Sequence, residues 1–142
     1  MPNRLWFWKG LPLFAAVVVF AASDISPKEA LNYVGDPTVQ FLDVREASEY
    51  ESGHIPGALL MPWTSGVLAL EWESLPRDKT IIVYCRSGGR SAQAFAFLQE
   101  KGFSLLLNMT GGFSSYQTVP GAIVETGPYQ EPVTAVADWA LY

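Results

Sequence analysis

The chain is poor in sulfur and imidazole side chains: it has one cysteine and one histidine among 142 residues. A lone cysteine cannot form an internal disulfide, so Cys85 is a free thiol that is either reactive or paired with another molecule. A small, inert core side chain is the usual alternative for a single cysteine. The identity of the residues around Cys85 is therefore the evidence that decides whether the thiol is reactive or structural.

Basic residues are also few, since nine lysines and arginines stand against 14 aspartates and glutamates and give a formal net charge of -5. Loss of the N-terminal segment described below would remove Arg4 and Lys9 and leave seven basic residues against the same 14 acidic ones. An acidic chain is a poor partner for nucleic acid and for anionic membrane surfaces. We therefore expect neither of these partners.

The N-terminal apolar run is too short for a membrane span, which needs about 20 apolar residues. It covers Leu11–Ala22, follows the basic residues Arg4 and Lys9, and ends in small residues, as an export signal does. We expect residues 1–22 to be a signal peptide cut after Ala21 or nearby. The protein would then be exported to the periplasm or cell envelope, with no stable membrane anchor. N-terminal sequencing of envelope protein tests this, and an intact Met1 in the membrane fraction would indicate an anchor instead.

The rest of the chain alternates short apolar strands with amphipathic helices. The predicted strands are 39–44, 58–61, 81–84 and 103–109, with a further extended segment at 119–126. The predicted helices are 27–34, 46–52, 91–101 and 113–117, and 62–74 is loop plus helix. This order predicts a single α/β domain, residues 23–127, with an open, mainly parallel sheet and helices on both faces. Residues 128–142 are interpreted as a tail that packs on the domain or is partly ordered.

Three polar residues stand at the carboxyl ends of predicted strands: Asp43, Cys85 and Thr110. Sites in open parallel sheets form beyond these ends, so we expect the three residues to converge. Cys85 also precedes a helix, whose free N–H groups and positive dipole end favour an anion.

The loop between Cys85 and the helix has the composition of an anion-stabilising loop. Gly88 and Gly89 allow the backbone to curl and point N–H groups at one centre, and Arg86 and Arg90 add permanent positive charge. Such surroundings lower the pKa of a thiol. We interpret Cys85 as a nucleophilic thiolate. A phosphate-binding loop without a nucleophile would need a lysine and a longer glycine spacing, and the chain has neither at this position.

Four motifs resemble those of the rhodanese (sulfurtransferase) family and occur in the same order. They are LDVRE at 42–46, GHIPGA at 53–58, IVYCRSGGRS at 82–91 and GGF at 111–113. The resemblance covers residues 24–127 and implies a single-domain member with a five-stranded parallel sheet. The chain departs from the family at Tyr116, where members carry a tryptophan, and we expect this to alter packing more than chemistry.

The resemblance implies a thiosulfate sulfurtransferase that works through a persulfide on Cys85 and needs neither cofactor nor metal. The implied partners are a small anionic sulfur donor and a thiol or cyanide acceptor, with a redox or sulfur-carrier protein as a further candidate. The expected substrate-binding residues form the loop after the nucleophile: Arg86, Ser87, Gly88, Gly89, Arg90 and Ser91. Supporting roles are expected for Asp43, Arg45 and His54, with His54 structural and Asp43 orienting neighbouring backbone.

Two other classes of protein remain open. The first is a cysteine-dependent phosphatase or arsenate reductase, whose loop usually has five residues between cysteine and arginine. Four residues separate Cys85 from Arg90, which favours sulfur transfer. The second is a non-catalytic binding module with the same fold. Such modules tend to lose the cysteine, and this chain keeps it together with both arginines.

Overall fold

The computed structural model describes residues 23–132 and folds them around one parallel sheet. The strands are β1 (Ser23–Ile25), β2 (Val39–Asp43), β3 (Leu59–Leu60), β4 (Thr80–Tyr84) and β5 (Leu106–Met109). All recorded strand pairs are parallel, and the order across the sheet is β1-β5-β4-β2-β3. The expected signal peptide, residues 1–22, and residues 133–142 of the tail lie outside the described residues.

Five α-helices lie within residues 23–132; four precede β5 and one follows it. They are α1 (Pro27–Leu31), α2 (Ala47–Ser52), α3 (Val67–Glu71), α4 (Gly89–Glu100) and α5 (Gly112–Tyr116), with a 3-10 turn at Trp72–Ser74 after α3. Helix α1 begins at a serine cap, since the Ser26 hydroxyl accepts a hydrogen bond from the N–H of Glu29. Helix α4 is the longest of the five and directly follows the strand that delivers Cys85.

The buried side chains of the sheet form two clusters, one on each face, and those of β2, β4 and β5 alternate between them. In β4, Ile82 and Tyr84 pack with α1, α2 and α5, whereas Ile81 and Val83 pack with α3 and α4. Both faces are therefore covered by helices, as in other all-parallel sheets. Cys85 continues the alternation and belongs to the α3–α4 cluster.

The structure confirms the α/β class and the parallel sheet, and it corrects several boundaries. Sequence reasoning missed β1, which is an edge strand of three residues, two of them exposed. Helix α1 ends at Leu31 instead of residue 34, because the chain turns through residues 32–35. The expected extended segment 119–126 contributes only one antiparallel bridge, between His54 and Glu125. Within residues 23–132, no helix has the length and apolar composition needed to cross a membrane.

We predict that Leu98→Ala destabilises the domain by about 2–5 kcal/mol, because the side chain is fully buried between α4 and the sheet and its removal leaves a cavity. Leu70→Ala is the matched control, since Leu70 is 85% exposed. Its effect should stay within about 0.5 kcal/mol. Urea denaturation measures both. Equal losses in the two variants would contradict this assignment of the core.

Candidate active site

The carboxyl ends of β2, β3 and β4 meet at one edge of the sheet. Asp43 is in register with Tyr84 on one side and with Leu60 on the other. The contact continues past the strands, because the N–H of Val44 donates to the carbonyl of Tyr84 at 3.0 Å. Cys85 therefore emerges one residue beyond β4, beside the chain that follows β2.

The sulfur of Cys85 lies inside the turn that starts α4. The N–H of Gly88 donates to Cys85 Sγ at 3.1 Å, and Ser91 Oγ lies 3.5 Å from the sulfur. Gly88 has φ +120°, a conformation that a residue with a side chain rarely adopts. Cys85 is only 1% exposed.

The loop favours the thiolate over the thiol. Burial alone would raise the pKa of Cys85, because it removes water from the charged form. Hydrogen bonds from the Ser91 hydroxyl and from the backbone N–H groups of Ser91, Gly88 and Ser87 outweigh this effect. The pKa of Cys85 is consequently lowered from its ordinary value, as a nucleophilic cysteine requires.

Helix α5 holds the outer side of the loop. The N–H of Phe113 donates to the carbonyl of Cys85 at 2.8 Å, and the N–H of Ser114 donates to that of Arg86 at 3.0 Å. Gly112 allows this approach, since a Cβ there would lie 2.5 Å from the Arg86 carbonyl, and its φ is +61°. Gly112 thus lets α5 hold the loop through these two backbone hydrogen bonds.

Asp43 and Arg45 form a buried ion pair beside the loop. The guanidinium of Arg45 donates to both Asp43 oxygens at 2.7–3.2 Å and to the Gly53 carbonyl at 2.7 Å. It also lies over the Phe113 ring, 4.4 Å from its centroid. Asp43 Oδ1 accepts the N–H of Arg45 as well. The pair joins the end of β2 to α5 and the GHIPGA segment.

His54 takes part in a different contact. Its ring stacks on Tyr50 at 3.6 Å between centroids, its Nδ1 is 2.8 Å from the Tyr50 carbonyl, and its backbone pairs with Glu125. Within the described residues, no hydrogen bond joins Cys85 to His54 or Asp43. The structure therefore groups Cys85 with its loop and leaves His54 outside that group.

The two arginines of the loop have different surroundings. Arg90 forms a paired salt bridge with Glu49 of α2, with both N–O distances 2.8 Å. Arg86 is exposed and forms no salt bridge with any described residue. Arg90 thus ties the start of α4 to α2, whereas the Arg86 guanidinium is available to a ligand.

Sequence reasoning missed Glu49 as a residue of this site. Its carboxylate also accepts the N–H of Glu46 at 3.0 Å, so it closes the start of α2 while it pairs with Arg90. The sequence offers one local indication of this role: Glu49 is an acidic residue in the first turn of a predicted helix, and that helix follows the strand that ends at Asp43.

An open cleft of about 480 Å³ lies beside the loop, between α2 and α5. We call it the Arg86 cleft. Its lining includes Arg86 and the neutral residues Ser48, Ser52, Phe113, Ser114 and Gln117. In residues 23–132, no group of three or more His, Cys, Asp or Glu side chains could hold a metal ion.

Comparison with known proteins identifies the family. A model of the rhodanese-like domain matches residues 26–118. The chain belongs to the rhodanese-like domain family. A crystal structure of a rhodanese-related protein from Thermoplasma volcanium has a TM-score of 0.65 at 30% identity and covers 72% of this chain and 97% of that protein.

Curated relatives of this chain include proteins with the word sulfurtransferase in their names. The sulfurtransferase of Allochromatium vinosum is 36% identical over 78 residues, which are 55% of this chain and 71% of that protein. The probable adenylyltransferase/sulfurtransferase MoeZ of Mycobacterium tuberculosis is 33% identical over 95 residues. This match covers 66% of the chain and only 24% of MoeZ.

We predict that Cys85 reacts with an alkylating reagent at a rate that stays high as the pH falls from about 8 to about 6. Ser91→Ala should slow alkylation at the acid end by up to about tenfold, because it removes a hydrogen bond to the thiolate. Ser87→Ala is the control, since that side chain forms no hydrogen bond with any residue of the described range 23–132. A wild-type rate that drops tenfold per pH unit below about 8 would mean an ordinary thiol.

We predict that Glu49→Gln destabilises the protein at neutral pH by about 1 kcal/mol. The hydrogen bond from Arg90 lowers the pKa of Glu49 to about 2. A carboxyl group whose pKa is lowered by folding stabilises the folded state at pH values above its pKa in the unfolded chain, which is about 4.3. This contribution is lost as the pH falls toward 2. The difference from wild type should therefore shrink below about pH 4.

The exposed Glu51→Gln, on the same helix, controls for loss of charge alone and should change stability by less than about 0.5 kcal/mol. Urea denaturation at several pH values measures all three proteins. A Glu49→Gln effect that persists unchanged in acid would show that the salt bridge is not its source.

Proposed function

We propose that this protein is a sulfurtransferase that moves a sulfane sulfur from thiosulfate, or a similar donor, to a thiophilic acceptor through a persulfide on Cys85. One observation carries the proposal: the hydrogen bonds from the loop to Cys85 Sγ, which favour a thiolate at the carboxyl end of β4. Membership of the rhodanese-like family and relatives named sulfurtransferases support it.

In the first half-reaction the Cys85 thiolate attacks the outer sulfur of thiosulfate. A bond forms between this sulfur and Cys85 Sγ, and the sulfur–sulfur bond of thiosulfate breaks. Sulfite leaves with the electron pair of that bond. No general base is required because the nucleophile is already ionised, which agrees with the absence of a hydrogen bond between Cys85 and His54 in the described residues.

In the second half-reaction a thiol or cyanide attacks the outer sulfur of the persulfide. The persulfide is an anion, and we expect its terminal sulfur to lie in the same turn, where the N–H of Gly88 already donates to Cys85 Sγ. Donors that face developing negative charge stabilise it without reorganisation. Acceptor attack then returns the electron pair to Cys85 Sγ and restores the thiolate.

Arg86 is the proposed contact for the sulfonate group of the donor. Its guanidinium is exposed beside the nucleophile and has no salt-bridge partner among the described residues, so it can form a paired, charge-assisted contact. Arg90 is already paired with Glu49. Its role is to hold the start of α4, which in turn supplies Ser91 to the sulfur.

We propose export to the periplasm or cell envelope, a small anionic donor, and a thiol, cyanide or a redox or sulfur-carrier protein as acceptor. The apolar N-terminal run supports export. The acidic composition argues against nucleic acid as a partner. The salt bridge of Arg90 argues against a phosphatase, because a phosphoryl group would need that guanidinium free.

The test is sulfite release from thiosulfate with cyanide as acceptor. Cys85→Ser should abolish it, because a serine hydroxyl cannot carry a persulfide. Arg86→Ala should raise the KM for thiosulfate about tenfold to a hundredfold, since a hydrogen bond to a charged group is worth roughly 1.5–3 kcal/mol. Arg90→Ala should raise it less.

Arg77→Ala serves as the control for removal of a positive charge. Arg77 is exposed and donates to the carbonyl of Lys101, at the far end of α4 from Cys85. The Arg77→Ala variant should have the same KM for thiosulfate as the wild-type protein. A wild-type KM in the Arg86 and Arg90 variants alike would show that the site is not shaped for an anionic donor, and sulfite release by Cys85→Ser would refute the persulfide.

A further inference from the structure

The segment that follows α5 crosses back to the end of α2. We call residues 119–127 the strap. Glu125 of the strap exchanges two backbone hydrogen bonds with His54, at 2.9 and 3.0 Å. The N–H of Gly127 donates to the carbonyl of Glu51 at 2.9 Å. Because α2 ends at Ser52, these bonds fix the far end of the strap beside the end of α2.

Tyr116 joins α5 to the middle of the strap. Its hydroxyl donates to the carbonyl of Ile123 at 2.8 Å and accepts the N–H of the same residue at 3.3 Å. The side chain is fully buried, and its ring stacks on Phe113 with 6.1 Å between centroids. A tryptophan at this position could not make both bonds to Ile123, because an indole N–H donates but does not accept.

The strap also packs against residues that lie beside the Cys85 loop. A Cβ added at Gly53 would lie 3.2 Å from the Phe113 ring and 3.3 Å from the Val124 side chain, so both side chains lie against the Gly53 backbone. The Gly53 carbonyl accepts a hydrogen bond from Arg45, whose guanidinium lies over the Phe113 ring. Val124 of the strap therefore belongs to the same packed group as Phe113 and Arg45.

These contacts form a closed ring around the Cys85 loop, with α2 as the common base. On one side, Glu49 of α2 pairs with Arg90 at the start of α4. On the other side, the strap and Tyr116 join α2 to α5, whose N–H groups hold the carbonyls of Cys85 and Arg86. Helix α5 has only five residues, too few for a helix that is stable by itself. Its position therefore depends on the contacts at both of its ends.

We propose that Tyr116 is a positioning residue for Cys85: its hydroxyl, held by the strap, fixes α5 so that the N–H groups of the loop face the sulfur. Release of the strap would let α5 move away from the carbonyl of Arg86. The N–H that follows this carbonyl points the opposite way, so it would turn from the sulfur as the carbonyl moved. This role rests on the proposed function in one respect, that Cys85 reacts as a thiolate. It does not depend on which donor or acceptor is used.

The test is the pH dependence of Cys85 alkylation in the full chain. Tyr116→Phe removes only the hydroxyl, so the N–H and the carbonyl of Ile123 both lose their partner. The pH at which alkylation falls to half of its alkaline rate should rise by about 0.5–1 unit, a loss of about threefold to tenfold on the acid side of the profile. At about pH 9 the variant and the wild type should react at similar rates, because either thiol is then largely ionised.

A second variant acts on the strap from its other end, and each variant has a matched control. Gly127→Ala strains the strap, because Gly127 has φ +113° with open space around an added Cβ, and it should shift the profile in the same direction. Gly35→Ala, with φ +83° and equally open surroundings outside the strap, should leave the profile unchanged. So should Tyr33→Phe, since the Tyr33 hydroxyl forms no hydrogen bond with any residue of the range 23–132.

Urea denaturation measures the stability of each variant separately from its alkylation profile. A folded Tyr116→Phe protein with lower stability but the wild-type profile overturns the positioning role. A shift in Tyr116→Phe without one in Gly127→Ala overturns the part assigned to the strap. A wild-type rate that falls tenfold per pH unit below about 8 overturns the positioning role and the proposed function together. Absence of sulfite release contradicts the proposed function alone, whereas the alkylation shift would still support the role of Tyr116.

Discussion

The contact between α5 and the outer side of the Cys85 loop is the constraint on which the site depends. The N–H of Ser114 holds the carbonyl of Arg86, and in a trans peptide the N–H of the next residue, Ser87, points the opposite way. That N–H is one of those that lower the pKa of Cys85. Gly112 must therefore lack a side chain, because a Cβ there would push the carbonyl away and turn the N–H groups from the sulfur.

The arginines near the loop differ in whether they are held in ion pairs. Buried ion pairs are stable only when both partners are well hydrogen-bonded, and Arg45 meets this condition through Asp43 and Gly53. The partly buried Glu49 engages Arg90 through two hydrogen bonds. Structural ion pairs thus account for two of the arginines near the loop, and Arg86 is left for ligands. The lowered pKa of Cys85 rests mainly on hydrogen bonds with neutral groups, so binding of an anion to Arg86 does not remove the thiolate's own stabilisation.

Much of the fold could be predicted from local patterns, and the exceptions have physical causes. Apolar runs predicted the bounds of β2 and β4 to within one residue, because both strands are largely buried. Strand β1 has one buried residue and left no such pattern. Helix α4 begins at Gly89, earlier than predicted, because positive φ at Gly88 starts the turn there. The salt bridge between Glu49 and Arg90 joins residues 41 positions apart, and no local signal encodes such a contact.

The central claim is that the loop stabilises a sulfur anion on Cys85, first as thiolate and then as persulfide. The most direct measurement is the intact mass of the full chain after incubation with thiosulfate and removal of small molecules. We expect a gain of one sulfur atom per chain, localised to Cys85, reversed by cyanide and absent in Cys85→Ser. An unchanged mass in the wild-type protein, with the thiol still reactive toward alkylation, would contradict it.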